Sequence, residues 1–407
     1  MTKNINHSNQ NILKGMELKV FNSGIKKFGS DLLYITFPKN SSVAGVFTKS
    51  KTPSAAVSDC IKKINSSDFK RPSIKCLIVN SGNANAFTGK NGEKTVSKIV
   101  NFISKKVHCK KREVFTASTG VIGEFLDQDK IISSISKNNP TSINSFVEAS
   151  KSIMTTDTFY KVAFSKIQYK DFIVNLVGIA KGSGMISPNM GTMLAFMFTD
   201  LNIQSDVLQK ILIQENEQSF NSITVDSDTS TSDTCLLIST NKLKNKKVTA
   251  VHEADLLHFK KGVSCMMLNL AKQIVIDGEG ATKIIKITIN EAKTASSAKK
   301  IGMSIGNSPL VKTAIAGEDA NWGRIVMAIG KANEKINVNK IKIYYGDQLV
   351  ACNGMRHDKY NEVKLNDYLK NKEIEINVSL GIGKFSWTIY TCDLTEKYIK
   401  INADYRT

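Results

Sequence analysis

The stretch Lys181-Gly182-Ser183-Gly184-Met185-Ile186-Ser187-Pro188-Asn189-Met190-Gly191-Thr192-Met193-Leu194-Ala195-Phe196 has the makings of a nucleophile. A glycine-rich, proline-containing loop runs into an apolar strand, with a threonine at the junction. A threonine hydroxyl attacks poorly unless a base takes its proton. A cut just before Thr192 would supply that base, because the freed α-amine can accept the proton itself. An unperturbed α-amine titrates near ~7.7–8.0, so a useful fraction is neutral at cellular pH. Glycine at 191 leaves the preceding carbonyl accessible and lets the backbone strain. The same residues also read as an ordinary loop-to-strand junction.

Other polar segments could complete such a site. Asn80-Ser81-Gly82-Asn83-Ala84-Asn85-Ala86 follows a strand and could fix a tight loop. Ser118-Thr119-Gly120-Val121-Ile122-Gly123 also follows a strand, and a Thr hydroxyl beside a Gly N–H can aim two donors at one oxygen, as an oxyanion hole requires. Asp226 to Thr234 is an unbroken polar run. Asp277-Gly278-Glu279-Gly280-Ala281 and Ala316 to Arg324 set acids beside glycines, without Walker or EF-hand spacing. Each taken singly also reads as a turn.

These residues need a large scaffold, and 407 residues supply one or two domains. Hydrophobic residues at 41% and charged residues at 23% are normal for a globular chain. Met1 to Gln10 is polar and lacks the apolar core of a signal peptide. The longest apolar runs are strand length, so no membrane span is expected. The net charge of +20 raises the question of nucleic acid. The densest basic cluster, Lys105 to Arg112, has no aromatic residue to stack on a base. A solvated basic surface that attracts small anionic substrates is the better reading, and no nucleic-acid partner is expected. Seven cysteines with no C-x-x-C spacing suit a reducing cytoplasm. Five histidines form no metal spacing, so no metal is expected.

Alternating segments such as Glu373 to Val378 predict much antiparallel sheet. Strands are expected over Leu32–Phe37, Ala44–Thr48, Lys75–Asn80, Val114–Ala117, Phe172–Ala180, Met193–Phe198, Cys235–Ser239, Ile284–Ile289, Ile341–Tyr345, Glu373–Val378 and Phe385–Tyr390. Helical periodicity marks Val96 to Ile103, Val207 to Ile213, Ala254 to Ile274, Ala292 to Ile305 and Arg324 to Ala332. The fold class is therefore α+β, a layered α/β sandwich and not a doubly wound one.

Together the motifs resemble the ornithine acetyltransferase (ArgJ) family, the arginine-biosynthetic glutamate N-acetyltransferases. The resemblance rests on Asn80 to Ala86, Ser118 to Gly123, Met154-Thr155-Thr156-Asp157-Thr158, Lys181 to Phe196, Asp226 to Thr234, Asp277 to Lys283, Ser308 to Arg324, and Ile401-Asn402-Ala403-Asp404-Tyr405-Arg406-Thr407. They run in the family's order to the last residue.

The resemblance implies a self-processing sandwich of the DmpA/ArgJ-like type with an N-terminal threonine nucleophile. Cleavage would fall between Gly191 and Thr192, giving an α chain of 1–191 that carries the oxyanion hole and a β chain of 192–407. Thr119 and Gly120 match the oxyanion-hole pair. Thr155, Lys181, Thr192, Glu318, Asn402 and Thr407 match substrate-binding positions. The implied reaction moves acetyl from N-acetylornithine to glutamate through an acetyl-Thr192 ester, with no cofactor. Acetyl-CoA as a second acetyl donor is left open. The implied assembly is α2β2, and the location cytoplasmic. The chain departs from the family in having Gly191 where Ala is usual and Ala320 where Pro is usual, which would loosen the loop beside Glu318. The alternative function is a self-processing amidase or aminopeptidase of the related fold, in which water takes the acyl group.

Overall fold

The computed structural model describes residues 13–65, 71–187, 193–251 and 254–403. Gly191, Thr192 and Thr407 lie outside the described residues. The chain forms two compact units. The first comprises Met1–Gly182, Asn189–Ser219 and Thr229–Leu270, and the second Ser183–Pro188, Phe220–Asp228 and Ala271–Thr407.

The strands of the first unit are β1 (Glu17–Phe21), β2 (Leu32–Phe47), β3 (Ser73–Asn83), β4 (Val114–Val121), β5 (Ser142–Ile143), β6 (Lys161–Tyr169), β7 (Phe172–Lys181), β8 (Leu194–Thr199) and β9 (Thr234–Ser239). They join in the order β4-β3-β2-β9-β8-β7-β6, with β1 on β2 and β5 on β1. The helices of this unit are α1 (Ala55–Asn65), α2 (Gly89–Lys106), α3 (Gln128–Lys137), α4 (Phe146–Ser152) and α5 (Ser205–Glu217), and α6 (Leu256–Ile276) runs on into the second unit.

The two expected segments Leu32–Phe37 and Ala44–Thr48 are one strand with a fault in it. Leu32–Thr36 pairs with β1 and β3, whereas Ser42–Phe47 pairs with β9, and the register on β3 shifts between Thr36 and Ser41. Pro38, which has no N–H for a ladder, and Asn40 at φ 65° sit in this fault. The two halves of the sheet pack on each other. Leu33, Ile35, Leu77, Val79 and Phe115 share one buried cluster with Val177, Ile179, Phe196, Phe198 and Leu236.

Helices cover both outer faces. Val96, Ile99, Val100 and Ile103 of α2 bury against Tyr34, Cys76 and Ile78, as their helical spacing requires. On the other face Gly178 admits α6: a Cβ there would lie 2.8 Å from Leu270 Cδ1. The result is the layered α+β sandwich expected.

The second unit has β10 (Ile284–Ala292), β11 (Lys342–Tyr345), β12 (Gln348–Cys352), β13 (Met355–Arg356), β14 (Glu373–Ser379) and β15 (Phe385–Cys392), in the order β13-β12-β11-β14-β10-β15. Its helices are α7 (Ala295–Gly306), α8 (Pro309–Ala316), α9 (Trp322–Gly330), α10 (Glu362–Leu369) and α11 (Glu396–Ala403). Alternate residues Ile285, Ile287, Ile289, Ile374, Ile376 and Val378 point into one core with Ile301, Ile305, Ile315 and Ile325. Among the described residues no helix is long and apolar enough to cross a membrane.

Candidate active site

The expected oxyanion turn, Ser118 to Gly123, grows out of parallel pairing. β3 and β4 run side by side with Asn80 opposite Ser118, Ser81 opposite Thr119 and Gly82 opposite Gly120. Side-chain amides lock the turn. Asn80 Oδ1 accepts from Ser118 Oγ at 2.7 Å, and Asn80 Nδ2 donates to the Asn83 carbonyl at 2.8 Å. Gly120 has φ 130°, and a Cβ there would sit 2.3 Å from the Gly82 carbonyl carbon, so only glycine fits. Thr119 is 1% exposed, and among the described residues its Oγ1 has no hydrogen-bond partner. A buried hydroxyl left without a partner costs stability, and a ligand oxygen would satisfy it.

Lys181 ends β7 and is 2% exposed. Its Nζ donates to Thr155 Oγ1 at 2.9 Å. Thr155 N in turn donates to Asp157 Oδ2 at 3.0 Å, and Gly182 N to Asp157 Oδ1 at 2.6 Å. Asp157 also pairs with Lys161 Nζ at 2.7 Å, both side chains being fully buried. Burial pushes the Asp157 carboxyl up, but the ammonium groups of Lys181 and Lys161 and the donors around it hold it below the usual carboxylate range.

These pieces converge within the first unit. Ser81 Oγ donates to the Ser152 carbonyl at 2.6 Å, and Ser150 Oγ donates to the carbonyls of Lys161 at 3.0 Å and Ala180 at 3.4 Å. The oxyanion turn and the end of β7 are thus tied to the same helix, α4. The loop before β9 joins them: Ser54 N donates to the Thr231 carbonyl at 2.8 Å, and Ala55 N to the Asn85 carbonyl at 3.2 Å. At its end, Asp233 Oδ1 accepts from Met193 N at 3.0 Å. Met193 is the residue after Thr192. Burial drives the Asp233 carboxyl well above its ordinary range, against the Met193 N–H bond and the charge of Lys181.

The second unit holds the other candidates. Asp226 Oδ2 and Oδ1 accept from Met185 N at 2.6 Å and Ile186 N at 2.9 Å. Glu279 lies against Gly184, where a Cβ would be 2.4 Å from its carboxylate, and Asn402 Nδ2 donates to Glu279 Oε2 at 2.8 Å. Asn402 belongs to α11, so this last helix reaches the glycine-rich loop. Glu318 stands at φ 58° after α8 with its side chain 40% exposed and Oε1 accepting from Lys283 Nζ at 2.8 Å. Ala320 does not leave a loose loop: it is buried in the core of the second unit.

The acid–glycine run at Asp277 to Ala281 serves this docking, and among the described residues no cluster of His, Cys, Asp or Glu is placed to hold a metal. The described cysteines are free. Sequence reasoning missed Asp157, Asp226, Asp233 and Lys283 as individual partners. A visible signal was the placing of Asp226 and Asp233 at or near the two ends of the polar run.

A profile of the ArgJ family matches residues 17–407. The chain is similar to the arginine biosynthesis bifunctional protein ArgJ of Bartonella henselae, 45% identical over 397 residues, 97% of this chain and 96% of that protein. It is equally similar to the protein of that name from Mesorhizobium japonicum, 45% identical over 404 residues, 97% of this chain and 96% of that protein. Among solved structures, the arginine biosynthesis bifunctional protein ArgJ of Bacillus halodurans is 38% identical, covering 51% of this chain and 97% of that chain with a TM-score of 0.50. An ornithine acetyltransferase from Mycobacterium tuberculosis, solved in complex with ornithine, is 27% identical, covering 44% of this chain and 93% of that chain with a TM-score of 0.38.

Proposed function

The chain belongs to the ArgJ family and is an acetyltransferase of arginine biosynthesis that passes the acetyl group of N-acetylornithine to glutamate; from this premise we propose how its own residues do so. The chain cuts itself between Gly191 and Thr192. Thr192 Oγ then attacks the acetyl carbonyl while the α-amine of Thr192 takes its proton. The carbonyl oxygen becomes an oxyanion, held by Thr119 Oγ1 and Gly120 N–H. One such donor is typically worth ~2.7–4 kcal/mol of barrier. The C–N bond breaks, the proton returns to the departing α-amine of ornithine, and an acetyl-Thr192 ester remains. The α-amine of glutamate attacks that ester, and Thr192 Oγ leaves with a proton. Lys181 receives the substrate α-carboxylate, with Thr155 fixing its ammonium. Glu318 receives the δ-ammonium of ornithine. Asn402 and Thr407 match substrate-binding positions of the family.

The observation that carries this reading is the buried hydroxyl of Thr119, without a partner among the described residues, beside a backbone that only Gly120 permits. Acetyl-CoA enters the same scheme as a second donor, its thiol leaving as ornithine does; the relatives' name, bifunctional, supports this. The cleaved chains stay together as α2β2 in the cytoplasm, where free thiols persist.

Intact mass of the purified protein tests the reading. Two fragments are expected, the later one beginning Thr-Met-Leu-Ala-Phe, and Thr192→Ala should stay whole. Brief exposure to N-acetylornithine should add one acetyl group to the later fragment. Cleavage in Thr192→Ala, or initial-rate lines that intersect without an acetylated protein, would overturn it.

A further inference from the structure

The segment after β1 is organised by a single carboxylate. Asp31 is fully buried. Its Oδ1 accepts from Ser23 N at 2.6 Å and Ser23 Oγ at 2.8 Å, and its Oδ2 from Ile25 N at 2.7 Å and Lys26 N at 3.0 Å. Four donors on one carboxylate fix the backbone of residues 23–26. This segment packs against the oxyanion turn. A Cβ on Gly82 would lie 2.7 Å from Lys26 Cγ and 3.3 Å from Ile25 Cγ2, and Gly82 is the residue opposite Gly120.

The Lys26 side chain therefore starts beside the oxyanion turn. It ends at Met154, where Nζ donates to the carbonyl at 3.2 Å. The next residue, Thr155, holds Lys181. Two ammonium groups, one from the β1–β2 segment and one from β7, converge on Met154–Thr155. Lys26 is half-buried and makes no ion pair among the described residues. The acids whose fields reach it are Asp31 and Asp157. Asp31 is taken by backbone and Ser23 donors, and Asp157 by Lys161, Thr155 N and Gly182 N. Burial, with Lys181 adding to it, holds the Lys26 ammonium below the usual lysine range. A carboxylate brought between the two lysines would relieve that.

We propose that Lys26 is a specificity-determining residue that binds the substrate α-carboxylate together with Lys181. The inference rests on the acetyl-enzyme reading above. In both amino-acid substrates the α-carboxylate is one carbon from the reacting nitrogen. A cation rooted beside Gly120 can thus set that carboxylate while the acetyl oxygen enters the oxyanion turn.

The test compares two donors in acceptor-free acetylation of the full-length protein, followed by intact mass. One is N-acetylornithine. The other is N-acetylputrescine, the same acetylated amine without its α-carboxylate. Lys26→Met and Lys26→Gln should lower the second-order rate constant of acetylation by N-acetylornithine on the order of 10- to 100-fold, the worth of a hydrogen bond to a charged group. Both should leave N-acetylputrescine within about twofold of wild type, and Lys26→Arg should restore most of the loss, since it keeps the charge. Equal slowing of both donors would make Lys26 a merely structural residue, and no slowing of either would exclude it from the site. Wild-type protein that takes no acetyl group from N-acetylornithine would refute the acetyl-enzyme reading, and this assignment with it.

Discussion

Replacing Asp157 with alanine should destabilise the first unit more than any single surface change. The carboxylate pairs with Lys161 at 2.7 Å, and both side chains are fully buried. Alanine would take from the buried Lys161 ammonium the carboxylate that faces it at 2.7 Å. Breaking one side of such a pair typically costs ~3–5 kcal/mol. At roughly 2–4 °C per kcal/mol for a large domain, the melting temperature should fall by roughly 6–20 °C. The double variant Asp157→Ala, Lys161→Met removes both charges and should recover much of the loss, because a buried pair is worth little against apolar groups of similar size. Recovery should be incomplete, since Thr155 N and Gly182 N lose their acceptor in either variant. Thermal melts of wild type, both single variants and the double variant give the coupling directly. A coupling below about 1 kcal/mol would refute the reasoning. The pH dependence has a fixed sign as well. The folded carboxyl titrates below its ordinary range, so its stabilisation is complete above the unfolded value near ~4 and is lost as pH falls through the lower folded value. Asp157→Asn should therefore approach wild-type stability only in strong acid.

Thr119→Val keeps the shape and removes the hydroxyl; acetyl transfer should fall about 10²- to 10³-fold with a melting temperature no lower than that of wild type, and an unchanged rate would remove Thr119 from the oxyanion hole. Asp233 has the opposite sign from Asp157. Its folded carboxyl titrates well above the ordinary range, so wild type should lose stability relative to Asp233→Asn as pH rises above about 4, and melts that run parallel across pH would show the group ionised in both states. Truncation after Lys400 removes Asn402, whose amide holds Glu279 against the glycine-rich loop. Self-cleavage should survive and acetyl transfer should drop, tenfold for each ~1.4 kcal/mol lost, and transfer at the full rate would refute the role of the tail.

Strands whose apolar residues run on or alternate cleanly were legible in the sequence. Phe172–Lys181, Thr234–Ser239 and Glu373–Ser379 match their expected segments to within a residue or two. β6 was not legible. Lys161-Val-Ala-Phe-Ser-Lys-Ile-Gln-Tyr169 mixes lysines into its pattern, and one of them, Lys161, is buried only because Asp157 waits for it. Short helices such as α4 and α8 offer only about two turns of periodicity, and Pro309 marks the start of α8 only once Ser308 is seen capping it. β1 is only five residues long, and one of its two partners, β5, is distant in sequence. In the site, motif residues such as Thr119, Thr155 and Lys181 stood out by their segments. Their carboxylate partners did not, because a lone Asp in a polar run looks solvated until the fold buries it. Lys26 was hidden for the same reason: its position follows from Asp31 and Gly82, not from any local pattern.

The strand order around β8 also fixes a sequence of events. β8 and β9 both come after residue 192, yet they lie between β2 and β7, which both come before it. All six residues of β8, Leu-Ala-Phe-Met-Phe-Thr, are buried. A chain severed at 191–192 during synthesis would present that strand as a sticky apolar edge with its neighbour on another molecule. Severed after folding, the two pieces are interleaved like the fingers of clasped hands and cannot be pulled apart without melting the sheet. A cut at 191–192 must therefore follow folding, and the halves made separately should aggregate before they find each other.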